Sequence, residues 1–525
     1  MEIRRLTNIK LRLGESEEKL RETARRALKC NPAYFRIVKK SLDARDKGNI
    51  FYVYSIEFAA KEVAARGGAG AAESERLPKN KLPAENKPVL IVGAGPAGLF
   101  CALRLLKRGI TPLLIERGEA LEEREKTLKY FHETGELNTE SNVSFGEGGA
   151  GTFSDGKLNT GTHVKENDEV LSEFVRFGAP EEIAYLNKPH IGSDKLKTVV
   201  KNMREHLLKH GARVIFNACL TDIFIENGKI ARAEIARKDG NGRKTETIDV
   251  SAIVLAVGHS ARDTFELLRR KGVALTKKDF AVGVRIEHLQ SAIGFSQYGE
   301  KYKLLPPADY KCVFHGERAA FTFCMCPGGY VMAAASEESG VVTNGMSNYA
   351  RSGENANSAL IVQVTAADYP EDNPLAGVEF QRKIERAAYR LGGGKYVAPA
   401  QRAEDFLKGR ASSYFGEVKP TDPRGVVPSE LSAAFPKPVY EELKRAIVGM
   451  DARLKGFACP DAVLTAAETR TSSPVRILRG DNLQSVSAEM LFPCGEGAGY
   501  AGGITSSAAD GIRVADAVYK ALLEE

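Results

Sequence analysis

The sequence contains the spacing Gly-x-Gly-x-x-Gly three times, and this spacing can bring backbone N–H groups close to a phosphate. The first copy, Gly93/Gly95/Gly98, follows the apolar run VLIV and has Pro96 in the turn into an apolar-periodic segment. A second apolar run ends in Glu116, 23 residues after Gly93. This context predicts a strand–helix–strand dinucleotide site, in which Gly93 makes the tight turn, Gly95 admits a pyrophosphate and Gly98 lets the helix pack closely on the strand. The alternative is a glycine turn without a ligand.

Glu116 has a specific expected role at such a site. Its carboxylate can accept hydrogen bonds from the ribose hydroxyls, and it would repel a 2′-phosphate, so the pattern disfavours NADP.

The other two glycine copies lack this context. They are Gly146/Gly148/Gly151 and Gly497/Gly499/Gly502. The former follows no apolar strand and opens no apolar helix, and only seven residues follow Val518 after the latter. Their glycines are predicted either to let backbone approach a flat ligand or to serve ordinary turns. If the glycines of these two copies contact a ligand, the ligand is a dinucleotide that is held near residue 93 at one end and by the loop around residues 497–502 at the other. FAD, with its bulky ring, needs such a second contact more than NAD does.

Four further side chains are candidates for chemistry. Arg470 can clamp a substrate carboxylate or phosphate, or can make a polar contact between domains. Lys157 is predicted either near the cofactor or on the surface. Cys324 and Cys326 alternate along a predicted strand and so face one side, either as a redox pair or as small buried hydrophobes. His259 follows a buried strand and is interpreted as structural.

These residues must be positioned by several domains, and the predicted fold class is α/β with α+β parts. The sequence patterns predict a small basic βαββ unit at 1–65 and a linker at 66–87. The family resemblance described below implies the other segments: a Rossmann-type FAD-binding domain at 88–265 with a substrate-domain excursion at 161–189, a mixed-sheet substrate domain at 266–464, and the rest of the discontinuous FAD-binding domain at 465–525.

Charge is concentrated in the first unit. The formal net charge is +7, and residues 1–66 hold 16 Lys/Arg against 9 Asp/Glu. One interpretation is an acidic partner such as RNA for residues 1–65, and the other is a solvated basic face.

The apolar runs and the cysteine spacing predict the protein's cellular location and its metal content. No apolar run approaches the ~20 residues of a membrane helix, and the first residues lack a signal-peptide core, so a cytoplasmic protein without membrane contact is expected. The cysteines are scattered without metal-type spacing, which predicts neither a disulfide framework nor a metal site.

The motifs together resemble those of the glutathione-reductase-like FAD/NAD(P)-binding superfamily. VGAGPAGL with LLIERG resembles its FAD fingerprint, AIVLAVGHS its strand-plus-glycine motif, and FPCGEGAGYAGG its closing motif, with Glu496 in place of the usual Asp. Four extended runs between residues 212 and 250 stand where its β-meander would lie. FGEGGAGTFSDGKL, GHSARDTFE, CMCPGG and ETRTSSPVRI more closely resemble a bacterial family of FAD-dependent dehydrogenases without a settled substrate.

This resemblance implies a FAD-dependent oxidoreductase that moves hydride between its flavin and an unidentified small molecule. The catalytic candidates are Arg470 and Lys157. The implied cofactor-binding residues are Gly93, Ala94, Gly95, Pro96, Ala97, Gly98, Glu116, Arg117, Gly148, Gly149, Gly151, Thr152, Leu220, Val257, Gly258, Gly495, Glu496, Gly502, Gly503 and Ile504. Within this set, Gly148 to Thr152 are expected near the isoalloxazine and Gly502 to Ile504 at its pyrimidine edge.

The sequence contains no second strand–helix–strand dinucleotide unit. Electrons are therefore expected from a substrate, from NAD(H) docking as a transient reductant, or from a partner protein. The competing interpretations are an RNA-acting flavoprotein that uses residues 1–65 and a flavin-binding sensor without turnover.

Overall fold

The computed structural model describes residues 3–62, 87–162, 164–240, 242–370 and 372–524. Except for Lys87, the predicted linker 66–87 lies outside these residues. The N-terminal unit comprises β1 (Arg4–Arg12), α1 (Glu18–Leu28), β2 (Tyr34–Asp43) and β3 (Phe51–Ala59). Its strands form an antiparallel sheet in the order β1-β3-β2, and Leu20 and Ala24 of α1 pack against it. The elements follow one another in the order β-α-β-β.

The next part of the chain contains the helices and strands around the first glycine motif. They are β4 (Val89–Val92), α2 (Pro96–Lys107), β5 (Leu113–Ile115), α3 (Leu121–Thr134), α4 (Glu166–Arg176), α5 (Ser193–Lys209), β6 (Arg213–Ile215), β7 (Ala218–Glu226), β8 (Lys229–Asp239), β9 (Gly242–Asp249), β10 (Ala252–Leu255) and α6 (Arg262–Arg270).

The remainder of the chain is richer in strands. Its elements are β11 (Leu275–Lys277), β12 (Phe280–Leu289), α7 (Gln290–Tyr298), β13 (Val313–His315), β14 (Ala319–Cys326), β15 (Tyr330–Ala333), β16 (Thr343–Met346), β17 (Asn355–Val364), α8 (Ala376–Leu391), β18 (Ala398–Arg402), α9 (Ala403–Lys408), β19 (Val426–Pro428), α10 (Lys437–Asp451), β20 (Val463–Glu468), β21 (Val475–Ile477), β22 (Leu491–Pro493) and α11 (Ile504–Glu524). Short 3-10 turns include Gly149–Phe153.

A parallel sheet in the order β22-β10-β4-β5-β6 carries the first glycine motif. Both β4 and β10 are buried along their whole length, as expected for a parallel sheet covered on both faces. The last helix, α11, packs on α2, and β22 pairs with β10. The end of the chain therefore completes the sheet that begins at residue 89.

The extended runs between residues 212 and 250 do not form one meander, which corrects the expectation. The first of them, β6, pairs in parallel with β5, because α5 makes the crossover that a parallel neighbour needs. The other three, β7, β8 and β9, form a separate antiparallel sheet.

A mixed sheet in the order β13-β14-β17-β12-β20-β18-β19 forms the second large layer. Its neighbours are antiparallel except β18 and β19. A separate apolar core lies between this sheet and helices such as α8 and α10.

Three predicted boundaries need correction. The predicted boundary at 265/266 falls inside α6, whose Phe265 and Leu268 belong to the core of the parallel sheet. The boundary at 464/465 falls inside β20, which lies within the mixed sheet. The predicted excursion at 161–189 is wrong as well, because α4 packs on α11 and buries Val170 and Phe174 in the parallel-sheet core. Among the described residues, no helix is both long and apolar enough to cross a membrane.

Candidate functional site

A cavity lies between the carboxyl ends of β4, β5 and β10, the end of the mixed sheet and the loop before α11. Its empty volume is about 1740 Å³, including the solvent at its mouth. Three quarters of the residues that the sequence assigned to cofactor binding line it. They are Gly93, Gly95, Pro96, Ala97, Glu116, Arg117, Gly149, Gly151, Leu220, Val257, Gly258, Glu496, Gly502, Gly503 and Ile504. Segments more than 400 residues apart in sequence thus line one cavity.

Five residues of the predicted set lie outside the cavity lining: Ala94, Gly98, Gly148, Thr152 and Gly495. Gly98 packs helix on strand as expected, since a Cβ there would lie 1.9 Å from the Gly93 carbonyl oxygen. Gly148 and Thr152, which the resemblance placed near the flavin ring, do not line the cavity: Thr152 is fully buried, and a Cβ on Gly148 would lie 1.9 Å from its Oγ1. Gly495 instead donates its N–H to Asp510 at 2.8 Å.

The N-terminus of α2 opens toward the cavity. Its N-cap is Gly95, which has no side chain to satisfy the first N–H groups, and Pro96 begins the helix. Gly93 adopts φ +106°, and a Cβ there would lie 2.3 Å from the Ala256 carbonyl oxygen, so only glycine fits this turn. The uncapped end of a helix favours an anion such as a pyrophosphate.

Glu116 fixes the loops at this end of the cavity. Its buried carboxylate accepts hydrogen bonds from the N–H groups of Ala94 at 2.8 Å, Gly118 at 3.0 Å and Gly146 at 2.9 Å. A carboxylate has about four acceptor positions. These three bonds therefore leave about one acceptor position for the ribose hydroxyls, fewer than the sequence expectation implied. They also join the first glycine loop to the second.

Replacing Glu116 with Gln should weaken FAD binding, because the amide NH2 group would face backbone donors that now meet an oxygen. An unmet buried hydrogen bond costs about 1–3 kcal/mol, so we expect roughly a fivefold to hundredfold rise in the Kd of FAD. Quenching of FAD fluorescence on binding measures this. An unchanged Kd would show that the loops do not need this carboxylate.

The loop before α11 meets the cavity from the opposite side. A Cβ on Gly502 or Gly503 would find no atom within 4 Å, and neither glycine has a positive φ. Thr505, in the first turn of α11, donates to the Leu158 carbonyl oxygen at 2.8 Å and so fixes this loop against the second glycine loop. These glycines therefore leave open space at the wall, and steric relief for a ligand explains them better than backbone strain does.

Lys157 is at the cavity and is not a surface lysine. Its Nζ donates to the Met325 carbonyl oxygen and lies 3.3 Å from Asp155, which Arg351 also contacts at 3.0 Å. Its catalytic role stays a prediction.

Arg470 lines the cavity, but its guanidinium is already paired. It donates to Glu385 at 2.8 Å and to Ser260 at 2.9 Å, and the side chain is 7% exposed. The structure therefore favours the interdomain contact over a free substrate clamp. Arg262 shares the same carboxylate at 2.8 Å.

His259 also lines the cavity, with Nε2 3.8 Å from Glu496. Burial and the nearby Arg470 lower the pKa of His259 to about 3, so the imidazole is neutral at physiological pH. Partial burial raises the pKa of Glu496 to about 7.

Sequence reasoning missed several residues of the lining, among them Phe323, Asn344 and Glu468, and it did not place Cys324 at the cavity. Glu468 begins the ETRTSSPVRI motif, so its neighbours could have indicated it. It lies 3.3 Å from the buried Arg285, yet burial raises the pKa of its carboxyl to about 7.

This raised pKa makes the stability of the FAD-free protein depend on pH. Between an unfolded pKa near 4.5 and the folded pKa near 7, the folded state holds more protons than the unfolded one, so stability falls as pH rises through this window. Glu468→Gln removes this dependence. The free energy of unfolding of the variant minus that of wild type, from urea titrations, should rise by about 1–3 kcal/mol from pH 5 to pH 8. If the difference in unfolding free energy between variant and wild type does not change with pH, the Glu468 carboxyl does not cause the pH dependence.

Comparisons with known proteins match three parts of the chain. Residues 86–137 match a FAD binding domain, residues 279–471 match the family described as FAD-dependent protein, C-terminal domain-like, and residues 3–59 match a domain of unknown function. A protein of Clostridium beijerinckii that is itself described as uncharacterized is 45% identical over 494 residues, covering 91% of each chain. The chain belongs to the family of that clostridial protein. The two FAD matches make this a FAD-dependent family.

Two solved structures are more distantly similar to this FAD-dependent protein. One is a geranylgeranyl bacteriochlorophyll reductase-like protein from Thermoplasma acidophilum, with 14% identity, a TM-score of 0.38, and coverage of 83% of this chain and 79% of that one. The other is the flavin-dependent brominase Bmp2, with 12% identity, a TM-score of 0.38, and coverage of 84% and 80%. Similarity at this level bears on neither substrate nor reaction.

Proposed function

We propose that the protein is a FAD-dependent oxidoreductase that transfers hydride between flavin in the cavity and a small-molecule substrate. In this proposal the ADP half of FAD lies against Gly93 to Ala97 and Glu116, and the isoalloxazine lies between Gly149–Gly151 and Gly502–Ile504. The observation that carries it is the convergence of two helix N-termini, each preceded by glycines, on one cavity. Such ends favour the pyrophosphate at α2 and negative charge on the reduced ring at α11.

The residues present fit FAD at both ends of the cavity. Gly502 and Gly503 leave open a surface that any Cβ would begin to fill, and the N-terminus of α2 has no side-chain cap. When bound, FAD supplies the hydride chemistry.

The chain's own groups set the charge and the proton supply near the ring. Lys157 places a cation at the cavity wall, held by Asp155. Glu468 and Glu496, each with a pKa raised to about 7 by burial, can hold or release a proton near neutral pH. Arg470 positions the wall through Ser260 and Glu385.

An anaerobic reduction experiment tests the proposal. The purified protein should show flavin absorbance, and NADH, NADPH or a pool of candidate substrates should bleach it. NAD(H) as a transient reductant is part of the proposal. Bound flavin that no reductant or substrate bleaches would favour the sensor instead. The RNA-binding role of residues 1–65 stays a prediction, for which affinity that falls steeply with salt is the signature.

A further inference from the structure

One cysteine of β14 lies at the wall of the cavity and a second lies behind it. The sequence expectation put Cys324 and Cys326 on one face of a regular strand. In the structure a bulge interrupts the pairing of β14 with β17 between Phe323 and Cys326, and Cys324 adopts φ +43°. As a result Cys324 lines the cavity, whereas Cys326 is fully buried behind it.

The two cysteines are in direct contact. The Cys326 thiol donates a hydrogen bond to the Cys324 carbonyl oxygen, with its Sγ 3.3 Å from that oxygen. An ideal strand separates the Cα atoms of residues i and i+2 by about 6.7 Å, near the upper limit for a disulfide. The bulge and the left-handed Cys324 backbone break this extended path, so the spacing of a regular strand does not apply to this pair.

Basic groups surround Cys324 from several elements. Lys157 reaches β14 through its bond to the Met325 carbonyl oxygen, and Arg285 of β12 donates to the Cys324 carbonyl oxygen at 3.0 Å and lies 3.7 Å from the Cys326 sulfur. The neighbouring Cys326 thiol, then Lys157 and Arg285, lower the pKa of the Cys324 thiol below its ordinary value, while the pairing with Cys324 and then burial raise the pKa of Cys326.

Acidic groups near Cys324 act in the opposite direction. They are Asp155, which is paired with Lys157, and the carboxyls of Glu468 and Glu496. Because the last two have pKa values raised to about 7, they carry only part of their negative charge at neutral pH. A thiolate at the cavity and a thiol behind it is the arrangement that thiol–disulfide chemistry requires.

We propose that Cys324 and Cys326 form a redox pair that exchanges two electrons with flavin bound in this cavity. This inference rests on the proposed function, because it needs bound FAD as its electron partner. In the oxidative direction the Cys324 thiolate and the Cys326 thiol join through a new S–S bond. Two electrons and the Cys326 proton pass to oxidised flavin, giving its singly protonated reduced anion. The reactants and the products each carry one transferable proton and one negative charge, so the reaction balances without another reactant. The reverse step reduces the disulfide.

Counting electrons tests the pair without knowledge of the substrate. Full-length holoprotein, with its flavin content fixed by absorbance, is oxidised with diamide, freed of the reagent and titrated anaerobically with dithionite. Wild type should take up about four electrons per flavin, two for the flavin and two for the disulfide. Cys324→Ser and Cys326→Ser should each take up about two. Peptide mass spectrometry should find the Cys324–Cys326 disulfide before titration and two alkylated cysteines after it.

Cys459→Ser is the matched control, since this half-buried cysteine lies outside the cavity lining and should leave the count at about four. Uptake of about two electrons by wild type, or of about four by Cys324→Ser, overturns the pair. A protein without flavin absorbance, which FAD cannot restore, instead overturns the proposed function at the first step.

Discussion

Gly503→Val should yield a folded protein that has lost most of its flavin. A Cβ at this position meets no protein atom within 4 Å, and the residue lines the cavity, so the valine side chain fits the FAD-free protein and occupies space that the ring needs. The α2 end stays intact, and ADP should still bind. We expect FAD affinity to fall at least tenfold, which corresponds to about 1.4 kcal/mol. The ratio of flavin absorbance to protein concentration measures the occupancy.

Gly161→Val is the matched control for this change. A Cβ at Gly161 also meets no atom within 4 Å and the residue has no positive φ, but it lies outside the cavity lining. It should keep full flavin occupancy. If Gly503→Val keeps full occupancy too, the loop before α11 does not contact the ring.

Glu385→Ala should produce the largest loss of stability. The carboxylate is 2% exposed and binds both Arg262, 1% exposed, and Arg470. Its removal leaves two buried guanidinium groups short of a counter-charge, and breaking one side of a buried ion pair costs about 3–5 kcal/mol. Urea unfolding of the FAD-free protein measures the change in the free energy of unfolding.

Glu379→Ala is the comparison on the same helix, α8. Glu379 is 44% exposed and pairs with Arg382, so its loss should cost less than about 1 kcal/mol. Similar losses for the two variants would mean that the buried network around Glu385 is not stabilising.

The local elements could be predicted from the sequence because their signals are local. The strand β4, the turn at Gly93 and the helix α2 follow from an apolar run, a glycine spacing and an apolar period within about twenty residues. The pairing of β6 with β5, by contrast, depends on the crossover that α5 makes and not on the residues of β6 itself.

The side-chain pairings could not be predicted because they join distant parts of the chain. Arg470 meets a carboxylate 85 positions away, and Lys157 meets a carbonyl oxygen 168 positions away. No spacing rule encodes such contacts. The CxC sequence predicted two side chains on one face, and only the bulge in β14 separates the half-buried Cys324 at the cavity from the fully buried Cys326.

Calorimetric titration of FAD-free protein with FAD, alone and in the presence of ADP, tests the central claim most directly. If FAD spans the cavity from the α2 N-terminus to the loop before α11, one FAD should bind per chain, ADP should compete with it, and Gly503→Val should weaken FAD while leaving ADP affinity unchanged. Absence of FAD binding, or FAD binding that ADP does not displace, would contradict the account.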